Sequence, residues 1–169
     1  MWRHCAQRCK ELEQDEGAIT MKAVQRVMFL LVMAVVLVAA SPVYASGIQS
    51  EVLYYVNIER IAAGVQPVVL DERMGQGAAI RASEAQVSFA HLRPDGRGVK
   101  SVMGNDSLSW FGENLAVSEV KDARRIVKAW MGSPTHRANI LGRHYVRMGV
   151  ECVRGADGHY YWSQLFAGE

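Results

Sequence analysis

Hydrophobic spacing changes character along the chain, from helical periods between residues 50 and 131 to strand-like alternation after residue 145. Val52, Val56, Glu59 and Ala63 share one side of a helix starting at Ser50, a capping residue type, with Gly64 as its stop. Leu53, Asn57, Arg60 and Ile61 lie on or near the adjacent side. Gln66 to Leu70 is an extended connector, and Asp71 caps a second helix over about 72–88. That helix carries Met74, Ala78, Arg81, Ala82 and Ala85 on one face, and small residues there let another layer come close. Arg93-Pro94-Asp95-Gly96 is a turn, followed by a glycine-punctuated loop with one helical turn up to Leu108 and a short strand or extended bridge over 111–117. Ala123, Ile126, Val127 and Trp130 fall at i, i+3, i+4 and i+7, which predicts an amphipathic helix over 120–131. Val146, Met148, Val150 and Cys152 alternate with other residues as in a half-buried strand. A turn at Ala156-Asp157-Gly158 then leads into a returning strand from His159 to Phe166. Helices first and an antiparallel hairpin last predict an α+β layered domain.

Upstream of residue 46 the pattern has a different meaning. Met21, Lys22 and Arg26 make a short basic start, Val27 to Ala40 is uncharged, and Ser41-Pro42-Val43-Tyr44-Ala45 ends in a small residue suited to cleavage. This is the layout of a secretory signal peptide over 21–45, with the apolar run shorter than the roughly 20 residues of a membrane-spanning helix. Residues 1–20, with Cys5 and Cys9, are then an extension ahead of the true start, and 46–169 is the folded domain. Export places the protein at the cell envelope or outside the cell. Membrane contact is expected only through an uncleaved signal.

Residues 1–45 hold five of the 19 Lys and Arg and four of the 17 Asp and Glu, so the remainder balances 14 against 13. A net charge near zero gives no strong field for nucleic acid or an anionic membrane surface, and the dispersed arginines read as solvated faces and local pairs. Cys152 is alone after residue 45, so packing rather than cross-linking must stabilise the exported part. It falls on the apolar side of its strand and reads as a small core residue.

Three segments carry the candidate chemistry: Phe89-Ala90-His91-Leu92-Arg93-Pro94-Asp95-Gly96, Gly112-Glu113-Asn114-Leu115-Ala116, and Trp130-Met131-Gly132-Ser133-Pro134-Thr135-His136-Arg137. Two imidazoles and a carboxylate are ligand types from which an open zinc site is built. Ser133-Pro134 starts a helix and puts His136 in its first turn, where the dipole keeps the ring neutral. Ser133 itself is better explained as a cap than as a nucleophile. His91 closes the second helix and could serve only as its C-terminal cation. Glu113 is either exposed at a bend or turned into a pocket, and Asn114 can hold that bend.

These segments, in this order, resemble the CAP superfamily of cysteine-rich secretory, antigen 5 and pathogenesis-related proteins, and most closely its disulfide-free bacterial branch. The resemblance covers nearly all of residues 50–167 and implies a three-layer α-β-α sandwich. It also implies a cleft holding His91, Glu113 and His136, with zinc or another divalent metal on the histidines of some members. The family's second acid would follow Trp130, where this chain has Gly132 and Ser133. Asn57 and Arg60 match an Asn-x-x-Arg feature of the bacterial branch with a buried hydrogen-bonding role. Trp162 and Gln164 share a strand face, with Trp162 read as core. Trp110, Tyr160 and Tyr161 form either a rim or ordinary packing, and His144 and His159 have no motif around them. The function expected is binding of an extracellular or envelope ligand or partner. The alternatives are a metal-assisted hydrolase of peptide or cell-wall material, with Glu113 as general base, and a lipid or sterol carrier.

Overall fold

A computed structural model of the protein describes residues 47–104 and 108–168. The expected extension over 1–20 and the signal segment over 21–45 lie outside the described residues. Tyr44–Glu169 forms a compact unit.

Helix α1 runs over Ile48–Ala62, two residues earlier than its expected start, because Gly47 and not Ser50 occupies the N-cap position. It ends as the glycine predicts. Gly64 takes φ +66°, its N–H reaches the Ile61 carbonyl at 3.0 Å, and the Val65 N–H reaches Arg60 at 2.9 Å, which satisfies two terminal carbonyls. Strand β1 (Val69–Leu70) lies within the expected connector, and helix α2 (Glu72–Ala85) follows, with Asp71 accepting the Met74 N–H as its cap. The helix stops three residues short of the expected 88. His91 therefore lies in the following loop and is not the helix cap considered from sequence.

A 3-10 helix at Val99–Met103 precedes strand β2 (Trp110–Ser118). Helix α3 (Ala123–Gly132) is capped by Asp122, later than the expected start at 120, and helix α4 (Pro134–Ile140) begins on its proline. Ser133 occupies the N-cap position of α4 without making a side-chain cap bond; its hydroxyl lies 3.3 Å from that of Thr135. Strands β3 (Arg147–Arg154) and β4 (Tyr160–Gly168) close the chain as the expected hairpin.

The sheet has the order β1-β3-β4-β2, parallel only between β1 and β3. Helices cover both faces. On one, Val52, Val56, Ile126, Val127, Trp130 and Ile140 of α1, α3 and α4 meet Met148, Val150, Trp162 and Phe166. On the other, Met74 and Ala78 of α2 and Met103 of the 3-10 helix meet Leu165 and Ala167. The fold is thus α+β with three layers. Because both faces are covered, β4 is buried from Trp162 through Gly168 and not at alternate positions. The half-buried pattern read for β3 is corrected for the same reason: Gly149 is buried beneath α2. Trp162 is core, with its indole N–H on the Ser118 hydroxyl at 2.8 Å. Cys152 packs at the edge of the larger core, and burial pushes its thiol up to about 11, so it stays protonated and inert.

Asn57 and Arg60 tie the α1 layer to the loops. Asn57 exchanges two hydrogen bonds of 2.9 Å with the backbone of Val68. The buried Arg60 donates to the carbonyls of Gln66, Ile140, Gly142 and Tyr145 at 2.7–3.1 Å, closing the end of α4.

Candidate functional site

Strand β2 is an edge strand, and its two faces organise the site. Glu113 lies opposite Leu165 and so faces the α2 layer, whereas Asn114 lies opposite Gln164 and faces the α4 layer. On the α2 side, the small residues Ala78, Ala82 and Ala85 leave room for the fully buried Arg81. Its guanidinium donates to Glu113 Oε1 at 2.8 Å, to Glu84 Oε2 at 2.6 Å and to the Ala90 carbonyl at 2.7 Å. The last bond anchors the loop just before His91. Glu84 in turn receives a fork from Arg93 at 2.6 and 3.0 Å. Burial works against the Arg81 charge, but the hydrogen bonds and charges of Glu113 and Glu84 outweigh it and raise its pKa. The Arg93 fork, against a desolvation cost and with help from Arg81, holds Glu84 below the ordinary carboxylate range.

His91 completes this chain of charges. Its Nδ1 sits 2.8 Å from Glu113 Oε2, with the carboxylate side chain 1 % exposed and the imidazole 64 % exposed. An ion-paired carboxylate only accepts, so Nδ1 of His91 donates to it, which leaves Nε2 as the ring's other hydrogen-bonding atom.

On the other face, Asn114 donates to the His136 carbonyl at 3.2 Å and to Gln164 Oε1 at 3.0 Å. Asn139 of α4 donates to the Glu113 carbonyl at 2.9 Å and to Asn114 Oδ1 at 2.8 Å. These bonds stitch the first turn of α4 to the Gly-Glu-Asn segment and fix where His136 stands. They also close part of the edge strand, since Trp130 Nε1 takes the Leu115 carbonyl at 3.4 Å. Gly112 is required here, because a Cβ would come within 2.5 Å of the Tyr145 hydroxyl and 3.0 Å of Asn139 Oδ1. Desolvation, and then the charge of nearby His91, lowers the pKa of His136.

Of the four residues singled out from sequence, His91 and Glu113 are in direct contact, His136 is within electrostatic reach of His91, and Asn114 is a buried fastener. Both oxygens of Glu113 are engaged, by Arg81 and by His91. Among the described residues no three His, Cys, Asp or Glu side chains are grouped to hold a metal ion. The donors do not fit a three-ligand metal centre with Glu113 in it.

Residues 53–166 match the family model of CAP, the Cysteine-rich secretory protein family. The chain belongs to the CAP family. Bacillus subtilis YkwD, an uncharacterized protein, is 29% identical over 134 residues, which are 77% of this chain and 51% of that protein. The chain thus spans about half the length of that curated relative. Among solved structures, an extracellular SCP-domain protein of Bacillus anthracis superposes with TM-score 0.65 at 20% identity, over 73% of this chain and 41% of that one. An outer surface protein of Borrelia burgdorferi gives 0.62 at 17% identity, over 69% of this chain and 89% of that one. Those two likenesses speak to the CAP fold.

The partners of Glu113 and Asn114 are not all legible in the sequence. Arg81 reads as one polar member of a small-residue face, and Glu84 one turn later is the only local hint of its charge pairing. Arg93 is hidden inside a turn motif and Asn139 has no motif at all. Trp110 stacks on His144 at 3.9 Å between ring centroids, while Tyr161 bonds Asp157 on the hairpin loop, so the three aromatic residues form no common rim.

The shifted pKa values of His136 and Glu84 predict acid sensitivity. His136 has a folded pKa below the ordinary imidazole value of 6.5, so on acidification the unfolded chain binds the proton first and stability falls from about pH 7 downward. The contribution of Glu84 is present above the ordinary carboxylate pKa and is lost as pH drops through its lowered value. His136→Gln is expected to flatten the urea midpoint between pH 7 and 5 while leaving the loss at lower pH. An unchanged slope over that range would rule out His136 as its source.

Proposed function

We propose that this chain is an exported CAP-domain protein whose cleft binds a ligand or partner at the cell envelope or outside the cell, through His91 and His136. The observation that carries this reading is the 2.8 Å contact between the exposed His91 ring and the buried Glu113. It presents a hydrogen-bonding imidazole Nε2 on a rigid support, as a binding site requires. Extracellular and outer-surface proteins among the structural likenesses, together with the signal-like segment over 21–45, support export.

Binding is favoured over hydrolysis because Arg81 neutralises Glu113 inside the protein. A general base needs a carboxylate within reach of water or substrate, and this one has 1 % of its side chain exposed. Exported protein tested against peptidoglycan fragments and peptides is expected to bind without turnover. His91→Ala/His136→Ala should reduce affinity roughly tenfold or more, the effect of losing one or two good hydrogen bonds to a ligand. Turnover that disappears in Glu113→Gln would replace this reading with the hydrolase.

A lipid-carrying role has one specific observation behind it. A groove of about 560 Å³ runs between the N-terminal ends of α1 and α2, with Leu70, Gly75, Ala79 and Val150 among its walls beside the acidic Asp71, Glu72 and Glu151. If it holds an acyl chain, Ala79→Trp should abolish uptake of a fluorescent fatty acid that the parent retains. No uptake by the parent removes this role.

A further inference from the structure

Strand β3 is covered by a neighbour along only part of its outer side. β1 pairs with it at Arg147 and Met148, whereas β3 and β4 stay paired as far as Arg154. Among the described residues no strand lies on the outer side of β3 after Met148. The Met148 carbonyl accepts the Asp71 N–H on that side at 2.9 Å. By the alternation of a strand, the main-chain groups of Val150, Cys152 and Arg154 point the same way. Val150 is buried, which leaves Cys152 and Arg154 to present the edge. A row of such N–H and C=O groups is a template for another strand.

The Glu151 side chain starts on the α2 face of the sheet, because Gly149 two residues earlier lies against Met74 and Gly75 of α2. Its carboxylate nevertheless bonds the opposite layer. Oε2 accepts from Gln49 Nε2 of α1 at 2.6 Å, and Oε1 accepts the Cys152 N–H at 2.8 Å. The side chain therefore curls around the outer edge of β3 and occupies an N–H that an incoming strand needs. We propose that Glu151, braced by Gln49, is a plug on this edge that keeps a second copy of the chain from pairing there. A second copy is the strand to be excluded because it carries the same edge, and two such edges satisfy each other's main-chain groups in an antiparallel pair. The other edge strand, β2, is closed in part by Asn139 and Trp130. The plug is independent of the cleft.

The test is sedimentation velocity of the exported protein over a range of concentrations, with amide hydrogen exchange on the same samples. The parent is expected to stay monomeric. Glu151→Thr is polar but too short to reach Gln49, so it should self-associate, its average mass rising with concentration toward twice that of the parent. Exchange at the Cys152 and Arg154 amides should slow as the association proceeds, while the amides of β2 keep their rates. Gln49→Ala leaves the strand intact and should give the same association at higher concentration. Glu151→Gln keeps an acceptor for the Cys152 N–H and should stay monomeric. Where Glu151→Thr fails to fold, Gln49→Ala decides by the same two readouts. A Glu151→Thr variant that loses thermal stability yet remains monomeric at every concentration would make the contact a staple between layers and overturn the proposal. It is equally overturned by a parent that already associates through Cys152 and Arg154, by association that leaves those two amides unchanged, or by Glu151→Gln associating as strongly as Glu151→Thr.

Discussion

Arg81→Met is expected to destabilise the protein by about 3–5 kcal/mol, the usual cost of removing one partner from a buried ion pair. Arg81 is fully buried and holds three acceptors: Glu113, Glu84 and the Ala90 carbonyl. Glu84 keeps Arg93, and Ala90 lies in an exposed loop, so both find other partners. Glu113 does not. Its remaining side-chain neighbour is His91, and its carboxylate would stay buried without a full counter-charge. A buried carboxyl in that position takes up a proton more readily, so the penalty should be greatest at neutral pH and shrink in acid. Urea midpoints across pH give both quantities. Adding Glu113→Gln to Arg81→Met removes the orphaned charge and should recover part of the loss. A loss below about 1 kcal/mol, or a double variant less stable than Arg81→Met, would show that the pair does not support the cleft.

That network explains why some of the site was readable in the sequence and some was not. His91, Glu113 and His136 stand beside residues that constrain the backbone locally, namely the Arg93–Gly96 turn, Gly112 and Pro134, and such constraints are visible in a single chain. The same holds for the Gly64 stop, the Asp71 cap and the spacing of Ala123, Ile126, Val127 and Trp130. Arg81 is different. Its role depends on where β2 lies beneath α2, a relation between segments 32 residues apart. Asn139 likewise acquires its role only when α4 reaches the edge carbonyl of Glu113. β1 was legible as extended chain but not as a strand, because two residues carry no alternation and its pairing with Arg147 and Met148 is non-local. His91 reads as the end of a helix because Gln86 to Ser88 continue the composition of α2 without a glycine or proline to stop it.

The burial of Glu113 also changes what the loss of the family's second acid implies. Gly132 and Ser133 occupy that place here, yet a second carboxylate is present, supplied by Glu84 from α2 and shared between Arg81 and Arg93. Its charge is balanced inside the protein and does not face a ligand. With both carboxylates balanced inside the protein, the proposed role of His91 is hydrogen-bonding recognition more than holding a cation.

Gly149→Ala is expected to cost about 3 kcal/mol or more, at the upper end of overpacking changes. The alternation along β3 marks residue 149 as outward-facing, a place where alanine would ordinarily be harmless. In the fold, the backbone of α2 at Met74 and Gly75 lies directly over Gly149, and a Cβ there would overlap the main-chain atoms of both residues. Main chain cannot rotate aside as a side chain can, so α2 would have to lift from the sheet. Lifting it would loosen Met74 and Ala78 from Leu165 and Ala167 and draw Arg81 away from Glu113. The comparison that isolates this cause is Gly75→Ala, on the facing helix, where a Cβ meets nothing within 4 Å. That change should be neutral or stabilising by up to about 1 kcal/mol, from helix propensity alone. Two glycines facing each other across one contact should thus respond in opposite directions. If Gly149→Ala unfolds at the same urea concentration as the parent, α2 does not approach β3 this closely, and the support of His91 by Arg81 and Glu113 needs another geometry.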